Sequence, residues 1–166
     1  DMTKLSRLKT KVVKRKPITV AYLRNDVLWP LVSKFVRLTA AVKENDNGFI
    51  HCVTCGVRKH WKEMQAGHFI PGRYNAIIFE TRGIHPQCYH CNVGLKGNPR
   101  KYDEWMRKNM GDKVVEELDA LAKDTRQFFI PELLGMIGEY KKKVDELLAK
   151  LVEIEGGVEG VDKRLQ

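Results

Sequence analysis

The feature that most constrains this chain is a pair of Cys-x-x-Cys turns. Cys52-Val-Thr-Cys55 is followed, after residues 56–87, by Cys88-Tyr-His-Cys91. A two-residue spacing lets one tight turn present two thiolates to a single ion, and two such turns complete a tetrahedron. The chain has four cysteines, and all four lie in these turns. A disulfide framework fits poorly, because two-residue spacings favour metal turns and nothing marks the chain for secretion. Cys52, Cys55, Cys88 and Cys91 therefore read as ligands of a structural Zn2+. Four thiolates leave no open coordination position, so such an ion braces a fold.

Charge narrows the partner. The chain has 166 residues, with 30 Lys and Arg against 21 Asp and Glu, a formal charge of +9. That balance favours a polyanion, with DNA first. No apolar run approaches the ~20 residues of a membrane span. The first residues lack the apolar region of a secretory signal. A cytoplasmic protein with no membrane partner is expected.

Five stretches follow from composition and periodicity. Residues 1–16 hold Lys4, Arg7, Lys9, Lys11, Lys14, Arg15 and Lys16 against Asp1, a basic arm expected to stay flexible until it meets phosphate. Residues 17–48 contain an N-terminal helix. After an approach through Asn25, Val27, Leu28, Leu31, Val32, Phe35, Val36 and Leu38 recur at helical spacing, with Asp26 as a cap and Pro30 in the first turns. Residues 49–98 form the zinc module, read as knuckle, strand at 67–70, turn, strand at 76–80, knuckle and a short helix from Cys91 ended by Gly97. Residues 99–155 are helical. Asn98-Pro99 opens one helix, Gly111 stops it, Asp112 caps the next, and Ile130-Pro131 opens the longest. Its apolar stripe from Leu133 to Leu151 motivates a homodimer through the C-terminal helices. Residues 156–166 read as a disordered tail. The predicted class is α+β, mostly helical, with a small zinc-braced module framed by helices.

The module has the parts for phosphodiester hydrolysis. That reaction needs a base for water, a cation on the phosphate, and a frame that holds both in line. A histidine on a strand beside a knuckle suits the base, and His68 stands there. An oxygen-bearing side chain at the start of the next helix suits Mg2+ or Mn2+, and Asn92 stands there.

The segments Gln65-Ala-Gly-His-Phe69, Ile84-His-Pro-Gln-Cys-Tyr-His-Cys-Asn92 and Lys96-Gly-Asn98 resemble the phage lambda NinG (Rap) family of recombination endonucleases. The arrangement is also similar to the wider HNH, or His-Me finger, nucleases of the endonuclease VII type. The resemblance implies a ββα-metal module and a metal-dependent, structure-selective endonuclease acting on branched DNA such as four-way junctions and D-loops. It implies His68 as general base, Asn92 as ligand of a catalytic Mg2+ or Mn2+, and His85 as a metal or phosphate contact. Arg58, Lys59, Lys62, Arg73, Arg82, Lys96, Arg100 and Lys101 surround the module in sequence and are expected phosphate contacts. Trp61 and Tyr74 are candidates for stacking on unpaired bases.

Three positions depart from the pattern. Gln65 stands where the family has Asp. Gly67 stands where many HNH enzymes have Asp or His. Gly83 stands where an Asn orients the base. Glu63 and Glu80 are the candidate substitute acids. These departures support a second reading, a catalytically degenerate zinc protein that binds DNA junctions. A third, a protein-interaction module on the C-terminal helices, is disfavoured by the net charge.

Overall fold

The computed structural model describes residues 17–162, with side chains described through 156. The predicted basic arm and residues 163–166 lie outside the described residues. The first helix, α1, runs through three consecutive segments: Val20–Tyr22, a π-helical stretch Leu23–Leu28, and Trp29–Glu44. It begins earlier than the expected Asp26 cap, because Thr19 Oγ1 accepts from the Tyr22 N–H at 3.1 Å. Pro30 therefore falls inside a helix, where it lacks an N–H and its ring crowds the carbonyl four residues back. The wide turn accommodates it, with the Trp29 N–H reaching the Arg24 carbonyl five residues back. The buried positions follow the same step. Leu23 and Leu28 are five apart across the wide turn, and Val32 and Val36 continue at four.

Two small antiparallel hairpins follow. Strands β1 (Phe49–His51) and β2 (Arg58–His60) pair, with Phe49 opposite His60. Their loop carries the first Cys-x-x-Cys turn. Strands β3 (Gln65–His68) and β4 (Ile84–Gln87) pair, with His68 opposite Ile84. The second strand is thus 84–87, where the sequence predicts 76–80. Residues 75–79 instead coil into a turn, with the Ile77 and Ile78 N–H groups both bonded to the Tyr74 carbonyl. Burial of Ile77 and Ile78, 3% and 0% exposed, outweighs their strand propensity.

A π-helical turn, His90–Gly94, leads into helices α2 (Pro99–Met110), α3 (Asp112–Leu121) and α4 (Ile130–Asp162). Gly111, at φ 90°, caps α3, so Asp112 is its first residue and accepts from Arg107. Helix α4 continues through the start of the stretch read as a disordered tail. Its apolar stripe faces inward: Leu133, Ile137 and Tyr140 pack with Leu28, Val32 and Val36 of α1, while Val144 and Leu151 pack with Leu38, Ala41 and the zinc-side residues Ile50 and Trp61. Of the stripe that motivated a homodimer, Leu133, Ile137, Tyr140, Val144 and Leu151 are buried within the chain, while Leu134 is exposed. A second copy on α4 would meet its outer face, where Leu134 and Val152 are exposed. A third core joins α2 and α3 through Tyr102, Met106, Val115 and Leu118. Among the described residues the architecture is mixed α+β, mostly helical, with two two-stranded sheets. Among the described residues no helix is long and apolar enough to cross a membrane.

This packing separates two adjacent leucines. Leu133→Ala is expected to lower the unfolding free energy by about 2–5 kcal/mol. Leu134→Ala should stay within about 0.5 kcal/mol. Urea titrations of both variants measure the contrast.

Candidate functional site

The four cysteines converge from the β1–β2 loop and the end of β4. Their Sγ atoms all lie within 4.8 Å of one another, and Cys55 Sγ is 3.7 Å from Cys88 Sγ. Cys52, Cys88 and Cys91 are buried and Cys55 is exposed. The thiols are already supported by donors: the Cys91 N–H reaches Cys88 Sγ at 3.4 Å, and Asn98 Nδ2 reaches Cys91 Sγ at 3.6 Å. Burial pushes the Cys52 thiol up, but a hydrogen bond with the Thr54 hydroxyl and backbone N–H groups outweigh it and bring it to about 6. Burial pushes Cys55 up to about 12. The soft, four-sulfur donor set fits a structural metal such as zinc, which would hold all four as thiolates.

His68 ends β3 in a hollow lined also by Ile77, Glu80 and Leu118. Its ring stacks on Trp29, with centroids 4.7 Å apart and planes at 22°. Its Nε2 lies 3.1 Å from the Ile78 carbonyl. A carbonyl only accepts, so Nε2 carries the proton and Nδ1 keeps a lone pair. Burial lowers the His68 pKa, the Ile78 bond opposes that, and the nearby Arg73 charge reinforces it. The ring is neutral at pH 7. The turn at 75–79 thus supplies the orienting carbonyl that Gly83 in the motif left unaccounted for. Neither Ile78 nor Trp29 was legible as a site residue, since nothing local in the sequence ties them to His68.

Asn92 follows the last cysteine, and its N–H bonds the Cys88 carbonyl. Its Nδ2 donates to Gln65 Oε1 at 2.7 Å. Gln65, a departure from the family pattern, is therefore the direct partner of the expected metal ligand. Both line a cleft of about 380 Å³ with Trp29, Ser33, Arg37 and Arg73. Asn92 Oδ1 and Gln65 Oε1 offer hard oxygens of the type that Mg2+ and Mn2+ prefer, but among the described residues no carboxylate lines this cleft. Glu63 is exposed, and Glu80 bonds Arg82.

Gly67 has a steric reason. A Cβ there would lie 2.0 Å from Gln87 Oε1 and 3.1 Å from Asn92 Oδ1. Gln87 is fully buried, and its Nε2 donates to Thr54 Oγ1 at 3.2 Å and to the Gly97 carbonyl at 2.8 Å. Gln87 ties the two knuckle segments together and occupies the space a side chain at 67 would take.

His85 and Asn92 line different clefts. His85 Nδ1 lies 3.1 Å from the Tyr102 hydroxyl, which donates to the Gly67 carbonyl at 2.9 Å. The ring packs edge-on against Trp105, with centroids 4.6 Å apart. Burial, helped by the charge of Lys43, lowers its pKa to about 4.

The basic residues divide. Arg58 pairs with Asp46, Arg82 with Glu80 and Glu117, and Arg100 and Lys101 with Glu104. Arg73 lies over the Trp29 ring at 5.1 Å, Arg24 donates to its carbonyl, and Lys62 lies over the Trp61 ring at 5.7 Å. Lys59 and Lys96 have no ion-pair partner among the described residues. Trp61 is a core residue, whereas Tyr74 is 59% exposed.

Two outcomes follow. Gly67→Ala should destabilise the fold by about 1–3 kcal/mol by unseating Gln87 from its hydrogen bonds. In a Gln87→Ala background the same change should cost much less, and a double-mutant cycle by urea unfolding reads the difference. The second concerns pH. The unfolded chain protonates His85 near the ordinary value of 6.5, and the folded chain only near 4. Between those values the unfolded state binds more protons, so stability falls as pH drops from 6.5 towards 4, by at most about 1.4 kcal/mol per unit. Unfolding at pH 7.5 and pH 5 should show a smaller loss in His85→Phe.

A family model described as Bacteriophage Lambda NinG protein matches residues 2–150. Protein ninG of Escherichia phage lambda is 26% identical over 111 residues, covering 66% of this chain and 53% of that protein. Protein ninG of Salmonella phage P22 is 27% identical over 111 residues, with coverage of 66% and 53%. The chain spans about half the length of the curated relatives it matches. No solved structure matches it. The family match starts at residue 2 and runs through the first helix, both cysteine turns and most of α4, and the chain belongs to the bacteriophage lambda NinG family.

Proposed function

We propose that this chain is a metal-dependent, structure-selective DNA endonuclease that hydrolyses phosphodiester bonds in branched recombination intermediates, including four-way junctions and D-loops. The observation that carries the reading is the setting of His68. Its Nε2–H is fixed on the Ile78 carbonyl, its ring is steadied by Trp29, and burial keeps it neutral. That leaves Nδ1 free to take a proton from water, while the Ile78 carbonyl stabilises the imidazolium that results. Strands β3 and β4 with the 90–94 turn are read as the ββα-metal module, braced by zinc on Cys52, Cys55, Cys88 and Cys91.

Asn92 Oδ1 and Gln65 Oε1 would hold Mg2+ or Mn2+, a carbonyl oxygen having a second lone pair beyond the one in the Asn92–Gln65 bond. Such an ion supplies charge neutralisation on the scissile phosphate. Arg73 brings a guanidinium to the same cleft and serves as a phosphate contact, with Lys59, Lys62 and Lys96 extending the basic surface.

One observation favours a second reading. The absence of a carboxylate from the cleft among the described residues fits a catalytically degenerate protein that binds junctions and needs zinc alone, as the brace of its own fold. A cleavage assay on a synthetic four-way junction and a matched linear duplex, with magnesium, manganese or chelator, separates the two. The nuclease reading expects ion-dependent cutting of the junction. It also expects a rate about 100- to 10,000-fold lower in a zinc-replete His68→Ala. Tight junction binding with no cutting under any ion would establish the binder instead.

A further inference from the structure

A second cleft, of about 410 Å³, lies between α1, β4 and α2. It is separate from the cleft of Gln65 and Asn92 and plays no part in the mechanism above. Its walls include Phe35, Val36, Ala40 and Trp105, with Lys43 and His85 among its polar residues. The size suits a small flat ligand, and the lining mixes apolar and aromatic side chains with Thr39, Lys43, Glu44, Thr81 and His85, as binding sites combine apolar walls with placed polar groups.

The polar chemistry of the cleft is fixed by a chain of hydrogen bonds. The Gly67 carbonyl can only accept, so the single Tyr102 hydroxyl proton lies on the 2.9 Å contact to it. Tyr102 has no proton left for His85. The 3.1 Å contact must therefore be His85 Nδ1–H donating to the Tyr102 oxygen. Neutral His85 then presents Nε2 as a bare acceptor. Among the described residues, the buried side-chain polar atoms without a partner are Arg24 Nε and Gln87 Oε1. His85 Nε2 also has no partner, so it is not sealed off, and its ring lines the cleft.

The cleft thus combines aromatic and aliphatic walls, a histidine acceptor for an N–H donor, and a cation. Glu44, at the same cleft, is occupied by the His51 N–H and Nδ1 at 3.0 and 2.6 Å. We infer that this cleft receives a single unpaired nucleobase of bound DNA, its exocyclic amino group donating to His85 Nε2 and its backbone phosphate meeting Lys43. Stacking on Trp105 and Phe35 supplies the sequence-tolerant part of the affinity. The exocyclic amino groups of adenine, cytosine and guanine fit this acceptor; an unpaired thymine meets it only through its ring N3–H, so the acceptor reads an N–H edge and not one base. The inference rests on the reading of this chain as a DNA-acting protein and adds a structural reason for preferring branched over fully paired DNA.

The test uses the full zinc-loaded chain without added divalent ion and labelled duplexes that differ at one unpaired position. The position holds adenine, a purine lacking the amino group, or an abasic sugar, and a four-way junction serves as reference. Anisotropy titrations should give about fivefold tighter binding for adenine than for the unsubstituted purine, the worth of one hydrogen bond. The abasic probe should be weaker again by about fivefold or more. His85→Phe should erase the first difference and keep the second. Ala40→Trp, on a half-buried face of α1, fills the cleft and should erase both. Zinc content and circular dichroism confirm folding, and the wild-type series with Ala40→Trp decides the matter even where His85→Phe does not fold. Equal binding of the three probes by the wild type, or an unchanged ranking in Ala40→Trp, overturns the inference and leaves the DNA reading standing. Failure to bind any probe or the junction overturns both.

Discussion

Four sulfur atoms within 4.8 Å of one another set the geometry of the whole central region. Two arrive on a hairpin loop and two at the end of another hairpin. Neither two-stranded sheet is large enough to be stable alone. A cation shared by the four thiolates would turn two marginal pieces into one rigid unit. Gln87 reinforces the junction from within, bonding Thr54 of one knuckle segment and Gly97 beyond the other. Asn92 gains its position as a by-product, since the residue after the last cysteine is carried wherever that turn goes. The cleft of Gln65 and Asn92 is therefore downstream of the sulfur cluster in a physical sense.

Much of this was legible in the sequence because it was local. Two-residue cysteine spacing, helical periodicity and the Gly111 stop each act within a few residues. What escaped was long-range. The second strand lies at 84–87 although Pro86 argues against a strand. The Pro86 carbonyl accepts from Val53, on the side away from β3. The N–H that proline lacks would have pointed the same way, so no bond to β3 is lost. The stretch 76–80, which has the better strand composition, is claimed instead by the core. The orienting carbonyl of Ile78 belongs to that same stretch, which explains why His68 lacked a visible partner in the motif.

The departures from the family pattern also change meaning once they are placed in space. Gln65 and Gly67 sit two positions apart on β3 and serve one arrangement. Gln65 holds the Asn92 amide, and Gly67 leaves room for Gln87. A single acid restored at either position would face neighbours already arranged for a neutral, hydrogen-bonded amide cluster. The net charge of +9 is similarly uneven in effect. Arg58, Arg82, Arg100 and Lys101 are spent on surface ion pairs, each of small energetic worth. The positive charge left for a polyanion is concentrated on fewer residues than the sequence suggests.

The wide turn in α1 has an evolutionary corollary. Pro30 is tolerated because the turn before it carries one extra residue, and that residue also keeps Leu23 and Leu28 on the face of Val32 and Val36. Loss of the extra residue alone would drive the proline ring into the backbone. Loss of the proline alone would leave an unneeded bulge. The two form an epistatic pair, one an insertion and the other a substitution. Related genes should carry both or neither, and an alignment that opens a one-residue gap just ahead of this proline would be recording a fold constraint rather than a drifting loop.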